Sequence, residues 1–276
     1  MGVQEGVIPD YLPSDLLLDL SERREKDLRG KPKVTDGSES LARKPVIFSD
    51  FDGTITRLDV TDVILEQYAD PAWRDVEEQW LRGEIGSREC FDRQAALVRA
   101  TVKELNALID AIPFDPDFPG FFRFVKNQQL PFYIVSDSFD YVIRRVLRRV
   151  GANGELRNGR HLFSTGLRLE SGRLRVSFSH SKEGCEHGCA TCKPAVIRRV
   201  RKRQQPVVFI GDGLSDRFAV EEADIVFAKH ELLAYCRQHS LACRPFETFG
   251  DVQRDLVELL EADACGREVA LSATTS

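Results

Sequence analysis

The chain has 276 residues and a mass of 31.2 kDa, enough for one substantial buried core and a smaller second unit. Its 39 basic residues against 44 acidic ones give a formal charge of −5, which supplies no electrostatic reason to expect nucleic acid or an anionic membrane as partner. Seven cysteines are an odd number in a chain too long to need stapling, so reduced thiols are expected.

Residues 1–43 precede the first strand-like segment. Ser14 can cap a short amphipathic helix carrying Leu16, Leu17, Leu18 and Leu20, while Gly30 to Ser40 is polar and linker-like. This extension reads as packing on the core or mediating self-association, which makes a homodimer an expectation. The first twenty residues hold Glu5, Asp10, Asp15 and Asp19 and no long apolar run, so a cytoplasmic protein without a membrane span is expected.

Val46-Ile47-Phe48 then delivers Asp50-Phe51-Asp52-Gly53-Thr54 to a turn. The design recurs twice: Phe132 to Val135 runs into Ser136-Asp137-Ser138, and Val207 to Ile210 runs into Gly211-Asp212-Gly213-Leu214-Ser215-Asp216. Short apolar strands ending in polar residues, separated by helix-forming sequence, predict an α/β fold: a three-layer, Rossmann-like parallel sheet with its site at the carboxyl edge. Between the first two strands, residues 57–120 show helical spacing at Val60, Val63, Ile64 and Tyr68, at Trp80 and Leu81, and at Leu97, Leu105, Leu108 and Ile109. That is too much chain for a simple crossover and reads as an inserted helical cap over 59–120, with Pro113, Pro116 and Pro119-Gly120 marking its return. The core would then comprise 44–58 and 121–262. Alternation over 161–180 predicts a small β-hairpin. A strand at 225–227 and helices at 230–240 and 251–262 follow, and 263–276 reads as a flexible tail.

The Asp-x-Asp-Gly-Thr pair, Ser136 after a strand, Lys193 at a helix start and the Gly-Asp-Gly-x-Ser-Asp run resemble the four motifs of the haloacid dehalogenase-like (HAD) phosphatases. The resemblance covers roughly residues 44–260. It is closest to the branch that holds phosphoserine phosphatase and a methionine-salvage phosphatase, and nearer the latter through Asp70 to Trp73, Cys189 to Pro194 and Phe227-Ala228-Lys229. Asp-x-Asp alone is weak; the four motifs in order are specific. Each taken singly has a plain reading, as a turn, a helix cap or a surface lysine.

The resemblance implies a four-helix cap, phosphomonoester hydrolysis through an aspartyl-phosphate, and Mg²⁺ as cofactor. Asp50 would be the nucleophile and Asp52 the acid and then the base. Ser136, Asp137 and Lys193 would hold the phosphate, with Asp50, Asp212 and the main-chain carbonyl of Asp52 on the metal and Asp216 beside it. Asp137 and Ser138 depart from the two glycines common after the motif serine and leave the substrate open. Asp59, with Asp62 and Glu66 on the same flank of the first cap helix, could read a substrate hydroxyl or amine, or form a solvated flank. A small phosphorylated metabolite is the expected partner: the salvage phosphate first, phosphoserine or another small phosphate as alternative. A phospholigand sensor without catalysis, or a phosphotransferase that excludes water, would be a different class; no catalytic carboxylate is missing.

Cys185, His187, Cys189 and Cys192 offer four soft ligands in eight residues. A zinc site is chemically reasonable, but one short loop is cramped for a closed site, and reduced thiols packing the loop are favoured. His161, His180, His230 and His239 show no partners in the sequence and read as structural.

Overall fold

The computed structural model describes residues 43–152, 156 and 160–273; the expectations for residues 1–42 lie outside them. Seven strands form one sheet in the order β4-β3-β2-β1-β5-β6-β7. They are β1 (Val46–Ser49), β2 (Phe132–Phe139), β3 (Leu162–Glu170), β4 (Arg173–Ser177), β5 (Val207–Gly211), β6 (Ile225–Ala228) and β7 (Arg244–Pro245). All neighbours pair in parallel except β3 and β4. β1 and β5 are buried along their whole length, as central strands covered on both faces must be.

Successive side chains alternate between the two faces. On one face Ile47, Ile134, Val208, Ile210 and Phe227 join a large cluster containing Phe118, Phe121 and Phe249. On the other, Val46, Phe48, Val135, Phe163, Val207 and Phe209 pack with Val196, Ile197, Leu232 and Cys236. The first face is covered by α5 (Phe118–Asn127), α6 (Asp140–Arg149) and α10 (Phe249–Ala273), the second by α7 (Lys193–Val200), α8 (Arg217–Val220) and α9 (His230–Gln238). Each fully buried side chain of this size contributes about 1.5–3 kcal/mol relative to exposure, so both helical layers are held chiefly by these contacts.

Four helices, α1 (Val60–Tyr68), α2 (Trp73–Leu81), α3 (Ser87–Leu97) and α4 (Val102–Ala111), are inserted between β1 and α5. The chain leaves and re-enters the core through one stem. Thr56 and Phe114 form an antiparallel bridge, Arg57 N donates to Pro113 O at 3.0 Å and Asp115 N to Ile55 O at 2.9 Å. Just beyond the stem the buried Asp115 carboxylate accepts from Asp117 N and Phe118 N at the start of α5, and from Phe249 N at the start of α10. One side chain thereby satisfies orphan N–H groups of two helices. The insertion also touches the core away from the stem: Arg88 N donates to Gly188 O at 2.9 Å and Ala190 N to the Ser87 hydroxyl at 2.9 Å, Arg99 bridges to Arg173 of β4, and Arg145 of α6 pairs with Asp110.

Four features differ from the sequence reading. β2 runs on through Phe139, because it stays paired with β3 around an irregularity between Val135 and Phe139. The hairpin is joined to the main sheet: the first half of β3 pairs in parallel with β2 and the second half antiparallel with β4. β7 was not expected, since Arg244-Pro245 has no apolar run. Helix α10 continues to Ala273, through most of the segment read as a tail.

Candidate active site

Asp50 follows β1 directly, and its N–H donates to Ile210 O of β5 at 2.8 Å. Because both central strands end here, Asp50 and Asp212 emerge side by side at the carboxyl edge. Oxygens of Asp50, Asp212 and Asp216 all lie within 4.8 Å of one another. Lys193, at the first position of α7 and 2% exposed, places Nζ 3.1 Å from Asp50 Oδ1 and 2.5 Å from Asp216 Oδ1, and donates to Ser215 Oγ at 3.3 Å. Burial works against the Lys193 charge, but Asp216, Asp50 and Asp137 outweigh it and hold the ammonium above the usual lysine range.

The carboxylates are strained electrostatically. Burial raises Asp50, Lys193 offsets this, and Asp212 raises it further. Burial, then the charge of Asp50, pushes Asp216 up to about 8 even with Lys193 against it. Asp216 Oδ2 also accepts from Asp212 N at 3.1 Å and Gly213 N at 3.3 Å, which folds the loop after β5 back on itself. Asp212 Oδ1 accepts from the Thr54 hydroxyl at 2.6 Å. Gly53, at φ +66°, lies so close that a Cβ would fall 2.0 Å from Asp212 Oδ2; only glycine tolerates both the backbone and the approach.

Asp52 sits two residues past Asp50 at the foot of α1. Its carboxylate accepts from Val60 N at 3.2 Å and from the Thr61 hydroxyl at 3.5 Å. Burial, then the charges of Asp59 and Asp50, raises it well above the carboxylate range, the direction a proton donor requires. Ser136 is buried in β2, where its hydroxyl accepts from Ser138 N at 3.2 Å and donates to Asp50. Asp137 accepts from Thr191 N at 2.7 Å and from the Ser87 hydroxyl, so its carboxylate ties β2 to the Lys193 loop and to α3. Asp59 caps α1, accepting from Asp62 N at 3.0 Å. Its side chain reaches solvent, yet carboxylates crowd it. Desolvation there, and beyond it Asp212, Glu77 and Asp50, push it up to about 7.

Asp62 behaves likewise, pushed up to about 9 by desolvation and then by Asp59, Glu77 and Glu66. Glu77 of α2 is raised by burial, and Gln94 Nε2 donates to it at 2.7 Å. Glu66 instead pairs with Arg74 at 2.6 Å on the exposed side of the helices.

The oxygen set suits a hard cation. Among the described residues Asp50, Asp212 and Asp216 are the one group of three or more potential ligands close enough to share an ion. Asp50 Oδ1 is buried, with the Lys193 ammonium 3.1 Å away but no contact of hydrogen-bond geometry, which leaves a lone pair for a ligand. An oxygen-only, partly hydrated site of this kind fits Mg²⁺.

The cysteine loop is arranged differently. The His187 ring stacks on Phe218, with centroids 3.7 Å apart and an interplanar angle of 2°. Cys189 and Cys192 share an S–H···S contact that lowers Cys192 to about 6, against burial, and raises Cys189. His230 corrects the sequence reading: its Nδ1 lies 3.5 Å from Asp212 Oδ2. Thr54, Ser87 and Lys229 were also missed as parts of the site. Lys229 had a signal, an Ala-Lys pair directly after an apolar strand as in the other strand-end motifs.

A strand-end carboxylate backed by a buried lysine, with a general-acid candidate two residues on, is suited to hydrolysing a charged ester from the edge of an α/β sheet. The profile of the haloacid dehalogenase-like hydrolases matches residues 44–224, well over half of the chain, and the protein belongs to that family. It is 30% identical over 222 residues to the 2-hydroxy-3-keto-5-methylthiopentenyl-1-phosphate phosphatase of Geobacillus thermodenitrificans, covering 79% of this chain and 98% of that one. The enzyme of the same name from Bacillus cereus strain B4264 is also 30% identical, over 79% of this chain and 98% of its own.

Among solved structures, a substrate-bound phosphoserine phosphatase complex superposes with a TM-score of 0.59 at 16% identity, over 77% of this chain and 98% of that chain. A probable phosphoserine phosphatase from Vibrio cholerae gives 0.59 at 17% identity, over 84% and 68%. These likenesses concern the fold.

Proposed function

We propose that this HAD-type phosphatase is Mg²⁺-dependent and hydrolyses a small metabolite phosphate of the 2-hydroxy-3-keto-5-methylthiopentenyl-1-phosphate kind through an aspartyl-phosphate. The observation that carries the chemistry is Asp50: buried, at the mouth of two central strands, 3.1 Å from the Lys193 ammonium and beside Asp212 and Asp216. Asp50, Asp212 and the Asp52 carbonyl would hold Mg²⁺, with Asp216 fixing the loop; bound there, the ion supplies charge that offsets the phosphate.

Asp50 Oδ forms the bond to phosphorus. As the bond to the leaving oxygen breaks, the protonated Asp52 carboxyl gives that oxygen its proton. Asp52, now a carboxylate, removes a proton from the water that hydrolyses the acyl phosphate, returning Asp50 and inorganic phosphate. Lys193 and the Ser136 hydroxyl orient the phosphoryl oxygens during both transfers. The four-helix insertion acts as the cap that limits water and reads the leaving group. We place the core at 44–58 and 121–262 and the cap at 59–120, the residues after the stem at Phe114 serving as the cap's return to the core.

The choice among substrates follows from charge. After desolvation, Asp59 and Glu77 raise Asp62, and Glu77 is among the charges that raise Asp59, so this acidic group disfavours a further carboxylate in the leaving group. This favours the sugar-like salvage phosphate, which carries no carboxylate, over phosphoserine, and the names of the relatives given above support the same choice. A cytoplasmic location accords with the free Cys90, Cys185, Cys189, Cys192, Cys236 and Cys243. The test is phosphate release across a panel of metabolite phosphates, with kinetics on the best. Phosphoserine outperforming every neutral-leaving-group phosphate would overturn the substrate reading, and no Mg²⁺-dependent release from any would overturn the chemistry.

A further inference from the structure

Lys229 directly follows β6 and is 7% exposed, although its charge plays no part in the steps above. Its ammonium donates to the Thr54 carbonyl at 3.4 Å and stands over the Phe246 ring at 5.0 Å. Thr54 in turn gives its hydroxyl to Asp212 Oδ1 at 2.6 Å. The backbone closes the same circuit: Lys229 N donates to Gly211 O at 3.2 Å, and Leu232 N to Asp212 O at 2.7 Å. Three segments distant in sequence, the turn after β1, the loop after β5 and the end of β6, thus meet on one buried cation.

A lysine so enclosed carries a desolvation cost, which lowers its pKa, partly offset by Asp212, Asp115 and Glu247. The site already has a cation for the nucleophile in Lys193. The second lies behind the metal-facing carboxylates, where its reach ends on a main-chain carbonyl of the Asp50 turn.

We propose that Lys229 is a positioning residue of the divalent-cation site: by holding the Thr54 carbonyl it fixes the Thr54 hydroxyl, which in turn aims Asp212 at the ion. The proposal rests on the Mg²⁺-dependent phosphatase reading. Groups that orient metal ligands characteristically change metal affinity by 10–100-fold on removal. Direct repulsion between ammonium and ion has the opposite sign, so the direction of the change decides between orientation and simple charge.

The experiment is Mg²⁺ titration calorimetry on the full chain, with thermal unfolding in the absence of metal and phosphate-release kinetics at varied Mg²⁺. Lys229→Met should weaken Mg²⁺ binding about tenfold or more, while kcat recovers substantially at saturating Mg²⁺ and KM for the phosphate ester changes less than the metal affinity. Lys229→Arg should retain more affinity than Lys229→Met. Because the effect passes through Thr54, the Thr54→Val, Lys229→Met pair should bind Mg²⁺ little worse than Thr54→Val alone.

Unchanged or tighter Mg²⁺ binding by folded Lys229→Met overturns the proposal, as do additive losses in the double variant. If Lys229→Met does not fold, Lys229→Gln carries the same comparison. A wild-type protein that neither binds Mg²⁺ nor releases phosphate removes the reading beneath the proposal; a wild type that does both beside an unaffected Lys229→Met removes the proposal alone.

Discussion

Gly53→Ala is the sharpest perturbation of the site, because the added methyl is small and its target is known. At φ +66° an alanine meets backbone strain, worth about 1–3 kcal/mol. The Cβ would also fall 2.0 Å from Asp212 Oδ2, roughly half of an ordinary non-bonded separation. The carboxylate must therefore swing away by more than about 1 Å, and its 2.6 Å hydrogen bond from Thr54 breaks. Displacement on that scale is worth on the order of 100-fold in rate. The fold should pay only the strain, which for a chain of this size lowers Tm by roughly 3–10 °C. Thermal unfolding, Mg²⁺ titration and phosphate release from an aryl phosphate measure the three quantities separately. A folded Gly53→Ala enzyme with Mg²⁺ affinity and kcat within a factor of about three of wild type would refute the contact as the reason for glycine here.

Asp50→Asn should abolish phosphate release while leaving Tm within a few degrees, since shape is kept and only the nucleophile's charge goes; turnover by the folded, contaminant-free variant is the contrary result. Asp52→Asn should slow poor leaving groups about 100-fold or more and good ones far less, as seen by comparing alkyl with aryl phosphates; equal losses on both speak against proton donation. Asp115→Ala strips acceptors from the starts of α5 and α10 and should cost about 2–4 kcal/mol in denaturant unfolding, and a loss under 0.5 kcal/mol would show that those N–H groups find other partners. Elemental analysis of purified protein should find no stoichiometric zinc, and about one zinc per chain, lost with folding in Cys189→Ser, would make the cysteine loop a structural metal site.

The strand ends that form the site were legible because each follows an uninterrupted apolar run, the mark of a strand covered on both faces. Asp50, Ser136 and Asp212 could be found that way, Lys193 only as a motif lysine at a helix start, and the family resemblance supplied the roles proposed for them. The run alone does not say where a carboxylate turns. The Asp52 side chain bends toward Val60 and Thr61, whereas Asp216, read as standing beside the metal, is the one that joins Asp50 and Asp212. β7 was invisible because two residues, one of them proline, pair only through a neighbour already in place. The environment of Lys229 is set by Thr54 and Phe246, neither near it in sequence, and His230 needed the position of Asp212 to show its partner.

The stem at Thr56 and Phe114 makes the helical insertion a cassette. Its two ends meet as adjacent, hydrogen-bonded backbones, so a short turn or a foreign helical unit could join them without reordering a single strand of the sheet. The carboxylates at the sheet edge and the lysines behind them all lie outside the cassette, whereas Asp59, Asp62 and Glu77 lie within it. On the proposed function, leaving-group preference and phosphoryl chemistry would lie on separable stretches of the chain, and selection or design could exchange the first while the second stands. The contacts of Ser87 and Arg88 with the loop before Lys193, of Arg99 and Ala100 with the β3–β4 hairpin and of Asp110 with Arg145 of α6 set the geometric conditions on any replacement: it must meet those surfaces as well as its own stem.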